Sequence, residues 1–297
     1  MKNKEKFAYS TMHPLTLAFH LLAQITLGMF IMHPIFVAVS LVFSASLCFS
    51  VIGKKFLKEL RFYLPFYLIV AVSNPLFSHN GATPMFFLNG KPITYEALIY
   101  GIVSAGMFLS ILLWCRAWSA IVTDDKLMFL LGRSFPKVGL VLTVTLRMIP
   151  RFRLKWEEIK EVRSTVDDFV EKGFVSKVKG ALRLFSALIT HAMESAMETG
   201  MSMAARGYGI GKRTSVIRYR FGWEDALFLT INALMTTAII VLVALGATKF
   251  DFYPRISAIT AGGMQASVYA LFAAQSAMLL VQEVKEETIW KLSRSKI

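Results

Sequence analysis

From Leu15 to Val122 the sequence runs through a series of apolar stretches, each near the length needed to cross a bilayer. A spanning helix takes about 20 mostly apolar residues. In hydrocarbon every backbone polar group must be satisfied internally, which leaves helices and closed barrels as the only spanning structures. These runs are continuous and do not alternate between apolar and polar, so they predict helices. The totals agree: 55% of the residues are hydrophobic and 18% are charged, where soluble domains carry about 25% charged residues. The chain has too few polar residues to cover a soluble fold of 297 residues. The predicted fold class is all-α, a polytopic helical membrane protein with about six spans.

The spans are placed as follows. The first is Leu15–Met32, the second Pro34–Ile52, with His33-Pro34 breaking the pattern between them as a tight helical hairpin. A basic cluster of Lys54, Lys55, Lys58 and Arg61 precedes the third, about Phe62–Phe77. Residues 78–92 read as a loop containing Gly81, Pro84, Gly90 and Pro92. The fourth span is about Tyr95–Val122, the fifth Ala226–Ala247 and the sixth about Ile256–Val281. Asp251, Pro254 and Arg255 form the turn between the last two. The N-terminus is basic and then apolar, but no small-residue cleavage motif follows, so the run is read as a retained span. Cys48 and Cys115 lie inside apolar runs with no His or Cys at ligand spacing, which predicts buried apolar side chains.

The formal charge is +14, from 33 Lys and Arg against 19 Asp and Glu. The cations lie between the apolar runs, so the positive-inside rule accounts for them and nucleic acid is not an expected partner. With six spans, the N-terminus, the 54–61 cluster, the long block at 123–222 and the tail fall on one side. The opposite loops contain only Lys91, Lys249 and Arg255. This places the chain in the cell (inner or plasma) membrane with both termini cytoplasmic. Three regions follow: a four-span region at 1–122, a cytoplasmic or interfacial region at 123–222, and two spans with a charged tail at 223–297.

The block at 123–222 carries 18 Lys and Arg against 10 Asp and Glu. Val138–Ile149 is too short to span and reads as interfacial or re-entrant. Arg151–Lys172 sets Phe152, Trp156, Ile159, Val162, Val166 and Phe169 at intervals of three and four, one apolar stripe on an otherwise charged helix ended by Gly173. A second helical pattern runs from Phe174 to about Arg206, where Gly207, Gly209 and Gly211 stop it. Met193, Met197 and Met201 recur every four residues. Such a stripe is either core or an adaptable docking face. Arg206 is either a cation favoured by a helix C-terminus or a guanidinium that pairs with a partner's carboxylates.

The run Met193–Tyr208 (MESAMETGMSMAARGY), with RMIPRF at Arg147–Phe152, resembles the transmembrane T component of energy-coupling factor (ECF) transporters. In that family a pair of cytoplasmic coupling helices each carries an Ala-Arg-Gly or Ala-Arg-Ser motif. Ala205-Arg206-Gly207 matches the second motif. Val162-Arg163-Ser164 is the candidate for the first, with Val in place of Ala, and Ala204 stands where relatives often have an acidic residue. The resemblance implies a scaffold that is not an enzyme. Its Arg163, Ser164, Ala205, Arg206 and Gly207 would engage two ABC-type ATPase subunits. The ATPase movements would pass to a substrate-binding S component, which takes up a vitamin or metal ion.

No GxxxxGK[ST], HExxH or CxxC motif occurs, and no cofactor is expected. His13, His20, His33, His79 and His191 are scattered, and His191 with Glu194 reads as structural. His20 and Arg116 are taken as the ionisable residues within the spans, Arg116 reaching toward the interface. A secondary transporter or channel acting alone is the alternative, disfavoured by the lack of intramembrane carboxylates.

Overall fold

The computed structural model describes residues 12–78, 81–88, 91–166, 174–210, 219–257 and 262–294. Its helices are α1 (Pro14–Phe30), α2 (Pro34–Ile52), α3 (Lys54–Phe77), α4 (Tyr95–Ile121), α5 (Asp124–Ser134), α6 (Pro136–Val166), α7 (Phe174–Ala205), α8 (Trp223–Ala244) and α9 (Gly263–Arg294). A two-stranded antiparallel hairpin, β1 (Pro84–Leu88) and β2 (Lys91–Thr94), precedes α4. The protein is an all-α, multi-pass membrane protein. Among the described residues five helices are long and apolar enough to cross a bilayer: α2, α3, α4, α8 and the Gly263–Lys285 part of α9.

The chain forms two compact units. The first comprises the chain up to Lys126 together with the chain from Tyr219 onward, and the second is Leu127–Arg218. The first and last predicted regions are therefore one body, which the central block interrupts.

In the first unit the helices run between two ends. One end packs Leu17, Leu47, Phe56, Leu113, Trp114, Ile121, Phe228 and Leu279 together. The other packs Leu27, Ile31, Phe36, Ile239, Val268 and Phe272, with Val37, Val103 and Phe252 beside them. Following the chain through these clusters gives strict up-and-down alternation. The α2–α3 turn, the exit after Lys126 and the return at Tyr219 share the first, charged end. The α1–α2 turn, the β-hairpin and the α8–α9 connection share the second, aromatic end. There Ala82 N–H donates to the Pro254 carbonyl at 3.1 Å, and Tyr100 meets Phe252 and Tyr253.

The 17-residue α1 contributes to both end clusters and so runs the same depth as its neighbours. At 1.5 Å per residue it measures about 26 Å, the short end of the spanning range. It starts as α2 does. Met12-His13-Pro14 and Met32-His33-Pro34 each put a His at the N-cap, where Nδ1 accepts from the backbone N–H two residues on, and a Pro at the first helical position. Pro fits there because that N–H has no intrahelical partner.

α4 lies at the centre of the four-helix part, packing against α1, α2 and α3. It does so through small residues. A Cβ on Gly101 would collide with the Ala71 carbonyl of α3, and one on Gly106 would press on Val37 of α2. Close backbone approach at small residues is how helices associate without a hydrophobic driving force between them.

Several boundaries differ from the sequence reading. α3 begins at Lys54 and not at Phe62, so the basic cluster forms its first two turns. Gly53 alone makes the turn, at φ +67°, a conformation open to glycine. The 78–92 segment contains a hairpin where a loop is expected. α8 spans Trp223–Ala244 instead of Ala226–Ala247, because Gly222 and Asp225 cap its start. The sixth span starts at Gly263, later than Ile256, because Phe250 and Phe252 fold back against the bundle. Val138–Ile149 is no separate segment but the first half of the continuous α6. α5 carries no expectation from the sequence. Cys48 is buried, as expected, whereas Cys115 is exposed on the apolar outer face of α4. Gly173, Phe169, Gly211 and His79 lie outside the described residues.

Candidate functional site

The second unit holds the residues singled out by sequence. α5 and α6 meet at a sharp corner. A Cβ on Gly139 would lie 2.5 Å from the Cα of Gly132, so only glycine allows the two backbones to come this close. α6 then runs 31 residues. Pro150 lies inside it, where the ring cannot donate to the Leu146 carbonyl. The predicted stripe holds for Phe152, Trp156 and Ile159, which are half-buried, while Val162 is exposed. Lys155 and Glu158 pair at 2.9 Å on the wet side. Arg163 and Ser164 fall in the last described turn of α6.

α7 packs against α6 and extends 32 residues, about 48 Å at the helical rise. It has two distinct faces. Gly180, Leu184, Leu188, Ala192, Ser195 and Thr199 lie at helical spacing and are buried or half-buried. Val178, Leu182, Phe185, Ile189, Met193, Met197 and Met201 form a second stripe that is exposed along the whole helix. The three methionines are 64%, 64% and 66% exposed. The Met stripe is therefore not core of the second unit. Lys179, Arg183, Glu194 and Glu198 are exposed on the same helix.

α7 ends in two reciprocal backbone bonds. Tyr208 N–H donates to the Met203 carbonyl at 3.0 Å, and Gly207 N–H donates to the Ala204 carbonyl at 2.9 Å. This is a Schellman cap with Gly207 in the left-handed region at φ +75°. Arg206 is thereby the C-cap residue. The Ala-Arg-Gly run has a conformational logic: the glycine takes the φ that an L side chain resists, and the arginine is held at the helix end. Arg206, Ala204 and Ala205 are exposed. Among the described residues no hydrogen bond or ion pair occupies the Arg206 guanidinium. Arg206 thus sits at the C-terminal end of its helix, and Arg163 in the last described turn of α6.

Two features of the first unit escaped the sequence reading. Arg116 does not reach for the interface alone; its Nε and Nη2 grip the Glu59 carboxylate of α3 at 2.8 and 2.6 Å. The second is a polar seam buried between α1, α8 and α9. Asp225 accepts from His13 N–H at 3.0 Å and from Thr16 Oγ1 at 3.3 Å. Gln275 Nε2 donates to Asn232 Oδ1 at 2.8 Å, which orients the Asn232 amide so that Nδ2 donates to His20 Nδ1 at 2.6 Å. Ser276 donates to Gln24 Oε1 at 3.0 Å. Its signal was the spacing of His13, Thr16, His20 and Gln24, one face of an otherwise apolar helix. The seam ends midway, and Leu27, Ile31, Phe36 and Phe272 close the aromatic end.

Span ends also hold carboxylates that the sequence reading left out. Glu96 is buried at the start of α4 and accepts from Thr83 N–H and Oγ1 at 3.3 and 2.8 Å. Asp225 and Glu283 are buried as well. Glu96 and Asp225 lie in first helical turns, where a carboxylate caps free N–H groups. Among the described residues no group of three or more His, Cys, Asp or Glu is arranged to hold a metal. His191 is half-buried and Glu194 exposed.

No family model matches the chain. Over 115 residues it is 29% identical to an uncharacterized protein of Mycoplasma pneumoniae, the MG181 homolog, covering 38% of this chain and 26% of that protein. The uncharacterized protein MG181 of Mycoplasma genitalium is 28% identical over 115 residues, covering 38% and 27%. The matched stretch thus spans about a quarter of the length of these curated relatives.

Proposed function

We propose that this chain is the energy-coupling membrane subunit of an ECF-type ABC importer, the T component. It has no catalytic role of its own. The observation that carries the reading is Arg206, exposed at the Schellman cap of a long helix whose outer face is an uncovered apolar stripe. A guanidinium fixed at a helix end is built for bidentate pairing with carboxylates in a groove of a partner. In this reading Ala205, Arg206 and Gly207 enter one ATPase subunit, and Arg163 with Ser164 enters a second. The methionine stripe lies against a partner whose surface changes as the ATPases close and open, which suits flexible thioethers. An S component carries the vitamin or metal ion.

The order of helices supports the same reading: four, then the short α5 and the coupling pair, then two more. α1 supplies the sixth crossing. The charged end, with Lys54, Lys55, Lys58 and Arg61, faces the cytoplasm under the positive-inside rule, and both termini lie there.

The test is ATP-driven uptake in membranes together with co-purification of the ATPase subunits. Removing one partner of an interfacial charge pair costs about 2–5 kcal/mol, so Arg206→Ala weakens ATPase association by about thirtyfold or more and uptake falls with it. Wild-type uptake and ATPase recovery by Arg206→Ala would sink the role of Arg206. The buried seam at His20, Asn232 and Gln275 favours a second reading, a carrier acting alone, because polar groups within a bundle often mark a transport path. That reading requires uptake by the purified chain alone in liposomes, which a T component does not support.

A further inference from the structure

The first turns of α3 are electrostatically one-sided. Lys54, Lys55, Lys58 and Arg61 are all exposed there. The helix has no acidic residue in its first turn, and its N-cap, Gly53, offers no side-chain hydrogen bond. Glu59, the carboxylate among these cations, is held by Arg116 of α4 in a two-point ion pair and is not available to neutralise them. Cations at a helix N-terminus repel the positive end of the helix dipole. Among the described residues no carboxylate pairs with Lys54, Lys55, Lys58 or Arg61, which leaves them open to an anion from outside the bundle.

The geometry of the face says which anion. Lys54, Lys58 and Arg61 are spaced by four and three residues and lie in one row. The same row continues through Pro65, Leu68, Val72 and Leu76, all exposed. One helix face is thus cationic for two turns and apolar for the rest of its length, with the cations at the charged end of the bundle. An acidic soluble protein would match the first part and leave the second uncovered. A phospholipid matches both, its phosphate at the three cations and an acyl chain along Leu68 and Val72.

We infer that the Lys54, Lys58 and Arg61 face of α3 is a retention site for an anionic phospholipid. The lipid neutralises the start of α3 and occupies the outer face of this peripheral helix. This is more than the general bias of basic loops toward the cytoplasm. It names one helix face, three side chains and a ligand held against exchange with neutral lipid. It is independent of the coupling role proposed for the second unit.

The experiment uses the purified full chain in nanodiscs of phosphatidylcholine with a minor share of phosphatidylglycerol, and lipid retention is read by native mass spectrometry. The expected result is retained phosphatidylglycerol that is released by salt. Each lost cation weakens retention about fivefold, so K54Q/K58Q/R61Q lowers it on the order of a hundredfold. K54R/K58R keeps the lipid, and Lys249→Gln at the aromatic end changes nothing. Thermal unfolding in pure phosphatidylcholine shows whether the triple variant folds as the wild type does. If it does not, Lys54→Gln and Lys58→Gln are read singly for the fivefold losses. The proposal is overturned if the wild type holds phosphatidylcholine as well as phosphatidylglycerol, or if the folded triple or single variants hold phosphatidylglycerol undiminished. Displacement by inorganic phosphate at an ionic strength where chloride leaves the lipid bound would mark a site for a free anion. Cross-links from Lys54 and Lys58 to an acidic protein, without lipid retention, would mark a protein surface. Either result overturns the lipid assignment.

Discussion

The two units invert each other's use of polarity. In the first, polar groups are inside: His20, Gln24, Asn232 and Gln275 are fully buried, while Leu22, Phe62, Ile69 and Leu234 face outward. In the second, α7 also points large apolar side chains outward, but charges lie on the same helix and neighbouring Lys155 and Glu158 of α6 form a wet ion pair. An outward leucine on α3 is explained by lipid. The outward methionines of α7 differ in setting, because exposed Lys179, Arg183, Glu194 and Glu198 share their helix. The comparison separates two settings of exposed apolar surface: on α3 it lies along a span, and on α7 it shares its helix with exposed charges.

The sharpest way to break this contrast is to remove one large side chain from each unit. Trp114 is fully buried and donates its indole N–H to Ser40 Oγ at 3.0 Å. Trp114→Ala is expected to cost about 3–5 kcal/mol, and Met197→Ala less than about 0.5 kcal/mol, both by denaturant unfolding in detergent. A large loss for Met197→Ala would show that α7 is core after all. Next in size is the seam. Asn232→Leu leaves His20 and Gln275 without their central partner and is expected to destabilise the bundle by about 1–3 kcal/mol. A neutral result would mean that the seam can repack.

Gly207→Ala puts a Cβ at φ +75° and is expected to cost about 1 kcal/mol. The loss is confined to the end of α7, where hydrogen exchange at Arg206 and Tyr208 would rise while the first unit stays unchanged. A further contrast concerns pH. Burial lowers the Lys126 ammonium to a pKa of about 8 from 10.5. Between those values the unfolded chain binds more protons than the folded one, so stability rises with pH through that window. Lys126→Met is expected to flatten that rise, seen as a melting temperature less dependent on pH.

Much of the bundle was legible because the signal is local. Apolar length marks the spans, and Gly207 after a helical pattern marks the end of α7. Boundaries were less legible where a neighbour decides them. The start of α3 was obscured because Lys54 and Lys58 read as loop by hydropathy, although charged residues extend a helix readily once it leaves the hydrocarbon. The late start of α9 depends on Phe250 and Phe252 packing across the aromatic end. The Glu59–Arg116 pair is 57 residues apart, and no spacing rule reaches that far.

The sequence by itself determined the solvent of this protein. Long apolar runs cannot be hydrated, and the placement of Lys and Arg sorts the connecting segments into two sides. It also placed Arg206 at a helix end, since glycine is the residue that a left-handed cap demands. Only the tertiary structure decided what each polar or apolar group faces. It joined 1–126 to 219–297 as one body, buried His20 against Asn232, took Glu59 away from the lysines beside it and left the methionines of α7 in the open. Helical periodicity shows which residues share a face, but what covers that face depends on packing between segments distant in the chain.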